Sequence, residues 1–257
     1  MSDSFTAAPP RTLSALFKGP GDVIIHSADD VEFHLFKKHL EYGAGGFPPA
    51  ETCANSDEII QLPESSETLE IFFQFIYPQR SPSLKGLEFE KFMLLAETAE
   101  KYEAFALINA CQLQLRLSFI HKHPKRILEF AVRHNHQDLI IELAPILVET
   151  PLSELEGILS LPVHKAWSRY RENWLLAFQR GLSKIPTHTC LGDQFRGFVF
   201  TWLQLLNGDN MGLSRLDWMF SAFPVGSGNS DCCCKAGIHW KGIIQAELNA
   251  IPLLDLS

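Results

Sequence analysis

The sequence predicts an α+β fold, a small sheet with packed helices, followed by an all-α region. Three observations carry that prediction. Short runs with strand periodicity alternate with helical runs as far as about residue 119. The stretch LPESSETLEIFFQFIYP, residues 62–78, encodes a short helix so apolar that it must be buried on nearly every side. From His121 onward no strand pattern recurs, and helical segments of about three turns follow one another between prolines and a polar turn.

After a Pro-rich arm (Pro9, Pro10), Thr12 to Phe17 reads as one or two helical turns carrying Leu13, Leu16 and Phe17, broken by Lys18-Gly19-Pro20-Gly21. Val23-Ile24-Ile25 and Val31/Phe33/Leu35 read as two strands joined by the turn Ser27-Ala28-Asp29-Asp30. FKKHLEYGAGGF turns helical and stops at Gly43, Gly45 and Gly46; Pro48 to Asp57 is a polar loop, and Glu58 to Leu62 a third strand. Ser65 or Ser66 caps the next helix, and Glu67 favours the positive end of its dipole. In it Leu69, Phe72, Phe73 and Ile76 make the i, i+3, i+4, i+7 stripe, and Pro78 ends the helix by forcing Tyr77 out of helical geometry. A helix with Phe92, Leu95, Ala96, Ala99 and Tyr102 on one stripe follows, then another to about Phe119. Beyond it Pro124, Asn135-His136, Pro151, Pro162 and Pro186 punctuate the helical region, and a last helix starts near Gly237 after the loop GSGNSD.

The chain of 257 residues, 46% hydrophobic and 20% charged, has ample material for one large core or two modest ones. Its formal charge of −8 argues against a partner bound through phosphate neutralisation, so nucleic acid is not expected. No secretion signal opens the sequence and no window reaches the roughly 18 apolar residues of a membrane span. The expectation is a protein of the cytoplasm or nucleus with reduced cysteines and no membrane contact.

Asp22-Val23-Ile24-Ile25, then Phe33-His34-Leu35-Phe36-Lys37 with Leu40 and Phe47, then DEIIQLPESSETLEIFFQFIYP, then Ala99-Glu100-Lys101-Tyr102, together resemble a BTB/POZ domain over residues 18–119. Residues 1–17 are then an N-terminal arm, and the helical remainder, 120–257, with HPKRILEFAVRH and WSRYRENWLLAF, resembles the tails of short fungal BTB proteins. The resemblance implies that the helix ending in Phe75-Ile76-Tyr77 is central, with Phe72, Phe73, Phe75 and Ile76 in the core. The chain departs from the family at Phe36-Lys37, usually His-Lys, and at Ala44, usually Ser a few residues before Phe47. Both departures predict apolar packing where the family has polar contacts.

The resemblance also implies protein partners. Such domains commonly form homodimers through the N-terminal helix and adjoining strand, and many recruit cullin-type ubiquitin ligase scaffolds. Leu13, Leu16 and Phe17 either form an apolar ridge that a second copy covers or fold back on their own domain. Adaptors often carry a hydrophobic-x-Glu element after the position of Phe47; here Pro49-Ala50-Glu51 is an imperfect version, which makes Glu51 the matching residue. Trp167, Tyr170 and Trp174 either offer a further partner surface or pack the helical core.

Catalytic motifs are missing: there is no G-x-S-x-G, H-E-x-x-H, phosphate loop or dinucleotide fingerprint, so no enzymatic activity and no cofactor are expected. Gly43-Ala44-Gly45-Gly46 follows a helix instead of opening one and reads as a helix stop. The alternative to a plain interaction module is a zinc- or redox-stapled regulatory protein. There Cys232 and Cys234 of SDCCCKAGIH would be completed by His188, Cys190 or His239. His121/His123 and His134/His136 are spaced by two, which on a helix sends each pair to different faces.

Overall fold

The computed structural model describes residues 12–49, 59–186, 197, 199–200, 220 and 231–256, the side chains of 231–234 excepted. The chain divides into two compact units, Met1–Phe119 and Ile120–Ser257.

The first unit holds a four-stranded mixed sheet in the order β1-β3-β2-β4, with β1 at Thr12–Leu13, β2 at Val23–His26, β3 at Val31–Leu35 and β4 at Ile59–Gln61. Strands β2 and β3 are an antiparallel hairpin with Ile25 opposite Phe33, whereas β1 joins β3 and β4 joins β2 in parallel. Alternation puts Val23, Ile25, Phe33 and Leu35 on one face, all buried. Against that face lies helix α2, Ser66–Ile76, whose Phe73 ring meets the Phe33 ring edge-on at 5.3 Å. Its stripe of Leu69, Phe72, Phe73 and Ile76 is buried, while Ile71 and Phe75 are half-buried.

The ends of α2 follow from local chemistry. Ser65 accepts the Thr68 amide as the N-cap, and Asp29 from the β2–β3 turn accepts both the amide and the hydroxyl of Ser66. Tyr77, ahead of Pro78, is extended (φ −77°, ψ 149°). Helix α1, Lys37–Gly43, has no cap from its own N-terminal residue. Its first amides are taken by distant groups: Lys37 N donates to Asp22 Oδ1 (2.7 Å) and Phe36 N to the Tyr77 hydroxyl (2.8 Å). Ala44 is buried, but Phe36 stays 40% exposed, edge-on to His39; only one of the two departures is filled by core packing.

The glycine cluster does more than stop α1. A Cβ on Gly43 would lie 2.8 Å from the Ile76 Cα, and one on Gly46 2.8 Å from the Tyr102 Cα. Gly46 N donates to Tyr102 O, so this backbone runs directly along the end of the next helix. That helix, α3, spans Phe89–Lys101, and α4 spans Phe105–Gln114, continued by a π-helical turn at Leu115–Phe119. The expected α3 stripe, Phe92, Leu95, Ala96, Ala99 and Tyr102, is buried throughout.

The helices described in the second unit are α5 (Pro124–Arg133), α6 (Gln137–Leu147), α7 (Leu152–Leu155), α8 (Leu161–Ser183) and α9 (Asp231–Asn249). Prolines 124, 151 and 162 stand at helix starts, where a missing amide costs nothing, and Pro145 lies inside α6. Helix α9 begins at Asp231, six residues earlier than the glycine at 237 implied. It packs on α8 through Ala177, Phe178, Trp240, Ile244 and Leu248. The contact is close: a Cβ on Gly181 would lie 3.0 Å from the Ile244 Cα, and the Trp240 indole donates to Gly181 O at 3.0 Å.

Candidate interaction surface

The expected helix over Thr12–Phe17 is a correction. Thr12–Leu13 is an edge strand, and the chain then bends. The reason is Ser14, whose amide donates to Glu32 O (2.9 Å) and whose hydroxyl donates to Glu70 of α2 (2.7 Å). The same hydroxyl accepts the amides of Leu16 and Phe17, which gives the bend the bonds a helix would have supplied. His34 N closes the segment by donating to Phe17 O.

The segment therefore splits the three apolar candidates. Phe17 is 7% exposed and inserts between Phe33, Phe73 and Tyr77, with ring centroids at 6.3, 5.8 and 5.2 Å. It folds back on its own domain and leaves the ridge. Leu13 and Leu16 remain 49% and 58% exposed. Register places Leu13 beside Glu32 and Glu32 beside His26, with Ile24 between His34 and Ile59 in the next row. The sheet face away from α2 thus has a polar centre flanked by Leu13, Ile24 and Ile59.

That centre is organised by one carboxylate. Glu32 lies 2.6 Å from His34 Nε2 and 3.3 Å from His26 Nε2, and His26 is buried. The hydrogen bond from His34, against partial burial and with His26 assisting, holds Glu32 below the usual carboxylate range. Among the described residues, no group of three or more His, Cys, Asp or Glu side chains is placed to hold a metal ion.

Glu51 lies outside the described residues, as do His188 and Cys190, and the side chains of Cys232 and Cys234 are not described. His239 is exposed on α9. Trp167 and Tyr170 are buried, and Trp174 packs on the α8–α9 core while its indole donates to the Tyr170 hydroxyl (3.1 Å). These three aromatics belong to the helical core. The faces argument for His134/His136 is overturned, because both lie in the turn between α5 and α6. There Asn135 has φ 57°, and the two rings, 6.1 Å apart, both pack near Phe130. Cys111 is buried on α4, and burial, reinforced by the Glu100 charge, pushes its thiol up to about 12, which leaves it unreactive.

One exposed apolar row escaped the sequence reading: Phe105, Leu113 and Leu117 on α4 and its π-helical turn, 66%, 58% and 69% exposed. The signal was present in LQLRL. Three leucines spaced by two cannot share one helical face, and Leu115, with Leu107 and Cys111, takes the inner one.

No helix among the described residues is long and apolar enough to cross a membrane. The chain matches no protein-family model, no curated protein and no solved structure.

Proposed function

We propose that residues 18–119 form a BTB/POZ-type interaction module and that the protein is a non-enzymatic dimerising scaffold or adaptor, acting in the cytoplasm or nucleus. The observation that carries this reading is the edge segment 12–17. It is pinned by buried Phe17 and Ser14 while two leucines, Leu13 and Leu16, face outward. A rigid backbone presenting apolar side chains at a sheet edge is suited to burial by a second copy. The order of hairpin, α1, β4 and the central aromatic α2 supports the family assignment. A cullin-type ubiquitin ligase scaffold is the proposed further partner, reached through Glu51.

The test is the solution mass of the full chain by light scattering over a wide concentration range, beside a Leu13→Asp/Leu16→Asp variant. Phe17 is left intact because its loss would damage the core. A dimer that the variant converts to a folded monomer is the expected result. A wild-type monomer at every concentration would remove the dimeric scaffold. Failure of the purified N-terminal domain of a cullin to bind would remove the ligase link.

A further inference from the structure

Two hydroxyl residues in the sequence stand directly before a proline, Ser81 and Thr150, and the fold treats them oppositely. Ser81 lies in the connection between α2 and α3. From Arg80 to Leu84 the chain has no regular structure and, among the described residues, makes no backbone–backbone hydrogen bond. Ser81 and Ser83 are exposed, Pro82 is half-buried, and Leu84 at the far end is buried. A turn at Lys85-Gly86, with Gly86 at φ 90°, then leads the chain back toward α3.

Thr150 is held on both sides. It is half-buried between α6 and α7, and its amide donates to Leu147 O at 3.0 Å. Pro151 O accepts the Glu154 amide at 3.0 Å, which ties the proline into the start of α7. Charge separates the two positions as well. Residues 1–119 hold 17 acidic and 9 basic side chains, whereas residues 120–257 hold 13 of each, so the whole −8 belongs to the first unit. Yet no acid occurs between Glu70 and Glu88, the stretch that carries Arg80 and Lys85 around Ser81, whereas Glu149 directly precedes Thr150.

We propose that Ser81 is a phosphorylation site for a proline-directed serine/threonine kinase. In the transfer, Ser81 Oγ bonds to the γ-phosphorus of Mg-ATP while the bond from that phosphorus to the β–γ bridging oxygen breaks. ADP leaves, and the hydroxyl proton passes to the catalytic aspartate of the kinase. In-line attack needs a hydroxyl carried on backbone that can extend into the cleft of the kinase. A residue before proline already favours extended geometry, and segment 80–84 has no backbone hydrogen bond to give up. The Ser83 hydroxyl accepts the Lys85 amide at 3.2 Å and no proline follows it, so Ser81 is the acceptor. The product adds about −1.5 to −2 of charge at neutral pH and three acceptor oxygens, beside Arg80 and four residues before Lys85. It therefore cancels the local positive charge of this loop. The inference does not depend on whether residues 12–17 dimerise.

The test incubates the full chain with Mg-ATP and a purified kinase of the cyclin-dependent class, read by intact mass and peptide mapping. Wild type gains one phosphoryl group, on Ser81, and Thr150 stays unmodified. Ser81→Ala and Pro82→Ala each abolish incorporation, whereas Ser83→Ala and Thr150→Ala retain it. A wild-type chain that gains no phosphate overturns the proposal. So does undiminished incorporation into Ser81→Ala, or modification of Thr150 in the folded chain as fast as that of Ser81.

Discussion

The two units solve burial differently. The first interlocks aromatic rings contributed by distant segments: Phe17, Phe33, Phe72, Phe73 and Tyr102 each touch at least one other ring. Two close backbone approaches, at Gly43 and Gly46, let α1 reach that cluster. In its α8–α9 pair the second unit relies on helix against helix, with Gly181 admitting Ile244 and a Glu247 carboxylate bound by Arg180 and Lys184. The contrast extends to charge, since the first unit holds all of the excess acid. A core stitched from long-range contacts sorts neighbouring side chains, burying Phe17 while Leu16 stays exposed. The helical unit is electrically balanced.

Breaking one core should leave the other standing, which sharpens the comparison. Phe73→Ala removes a ring that touches Phe17, Phe33 and Phe72 and should cost about 3–5 kcal/mol. Calorimetry should show one transition shifted down and a second unmoved. A single cooperative transition that shifts as a whole would contradict the division into independent cores.

Overpacking probes the second unit in the opposite sense. Gly181→Val forces a branched side chain against the Ile244 backbone and should cost about 1–3 kcal/mol, moving only the other transition.

Acid should act on the first unit through Asp29. Partial burial raises this group, but the hydrogen bonds from the Ser66 hydroxyl, Ser27 and the Ser66 amide outweigh it and hold it at about 2. Because the folded value is depressed, its contribution is complete above the ordinary carboxylate range, about 3.9, and is lost as pH falls toward 2. Asp29→Ala should cost about 1 kcal/mol at neutral pH, as the loss of a helix cap does, and should flatten the fall in stability below about pH 4 in denaturant titrations. An unchanged pH profile would show that the cap contributes nothing. The smallest effect on stability is expected at the surface: Leu13→Asp/Leu16→Asp should stay within about 0.5 kcal/mol of wild type in urea titrations.

Periodicity made the central elements legible. The hairpin, the four-residue stripe of α2 and its stop before Pro78 were visible because apolar spacing and proline act locally. Strand β1 was not, because two residues have no period and the bonds that bend the chain reach from Ser14 to Glu32 and Glu70. The same nonlocality separated Phe17 from Leu16, adjacent residues with opposite fates. Gly43 and Gly46 were read as punctuation, since a close approach to Ile76 and Tyr102 leaves no mark in the local sequence. The α4 row could have been found, because the alternation of Leu113, Leu115 and Leu117 conflicts with a single buried helical face.

The proposed dimer would cover the pinned edge segment with a second copy of the chain. The most direct measurement is amide hydrogen exchange of the full chain, read by mass spectrometry over residues 12–17 as protein concentration rises. If a second copy covers the segment, exchange at Leu13 and Leu16 slows with concentration while the α2 amides, already protected, do not change. Exchange over 12–17 that is independent of concentration would contradict it.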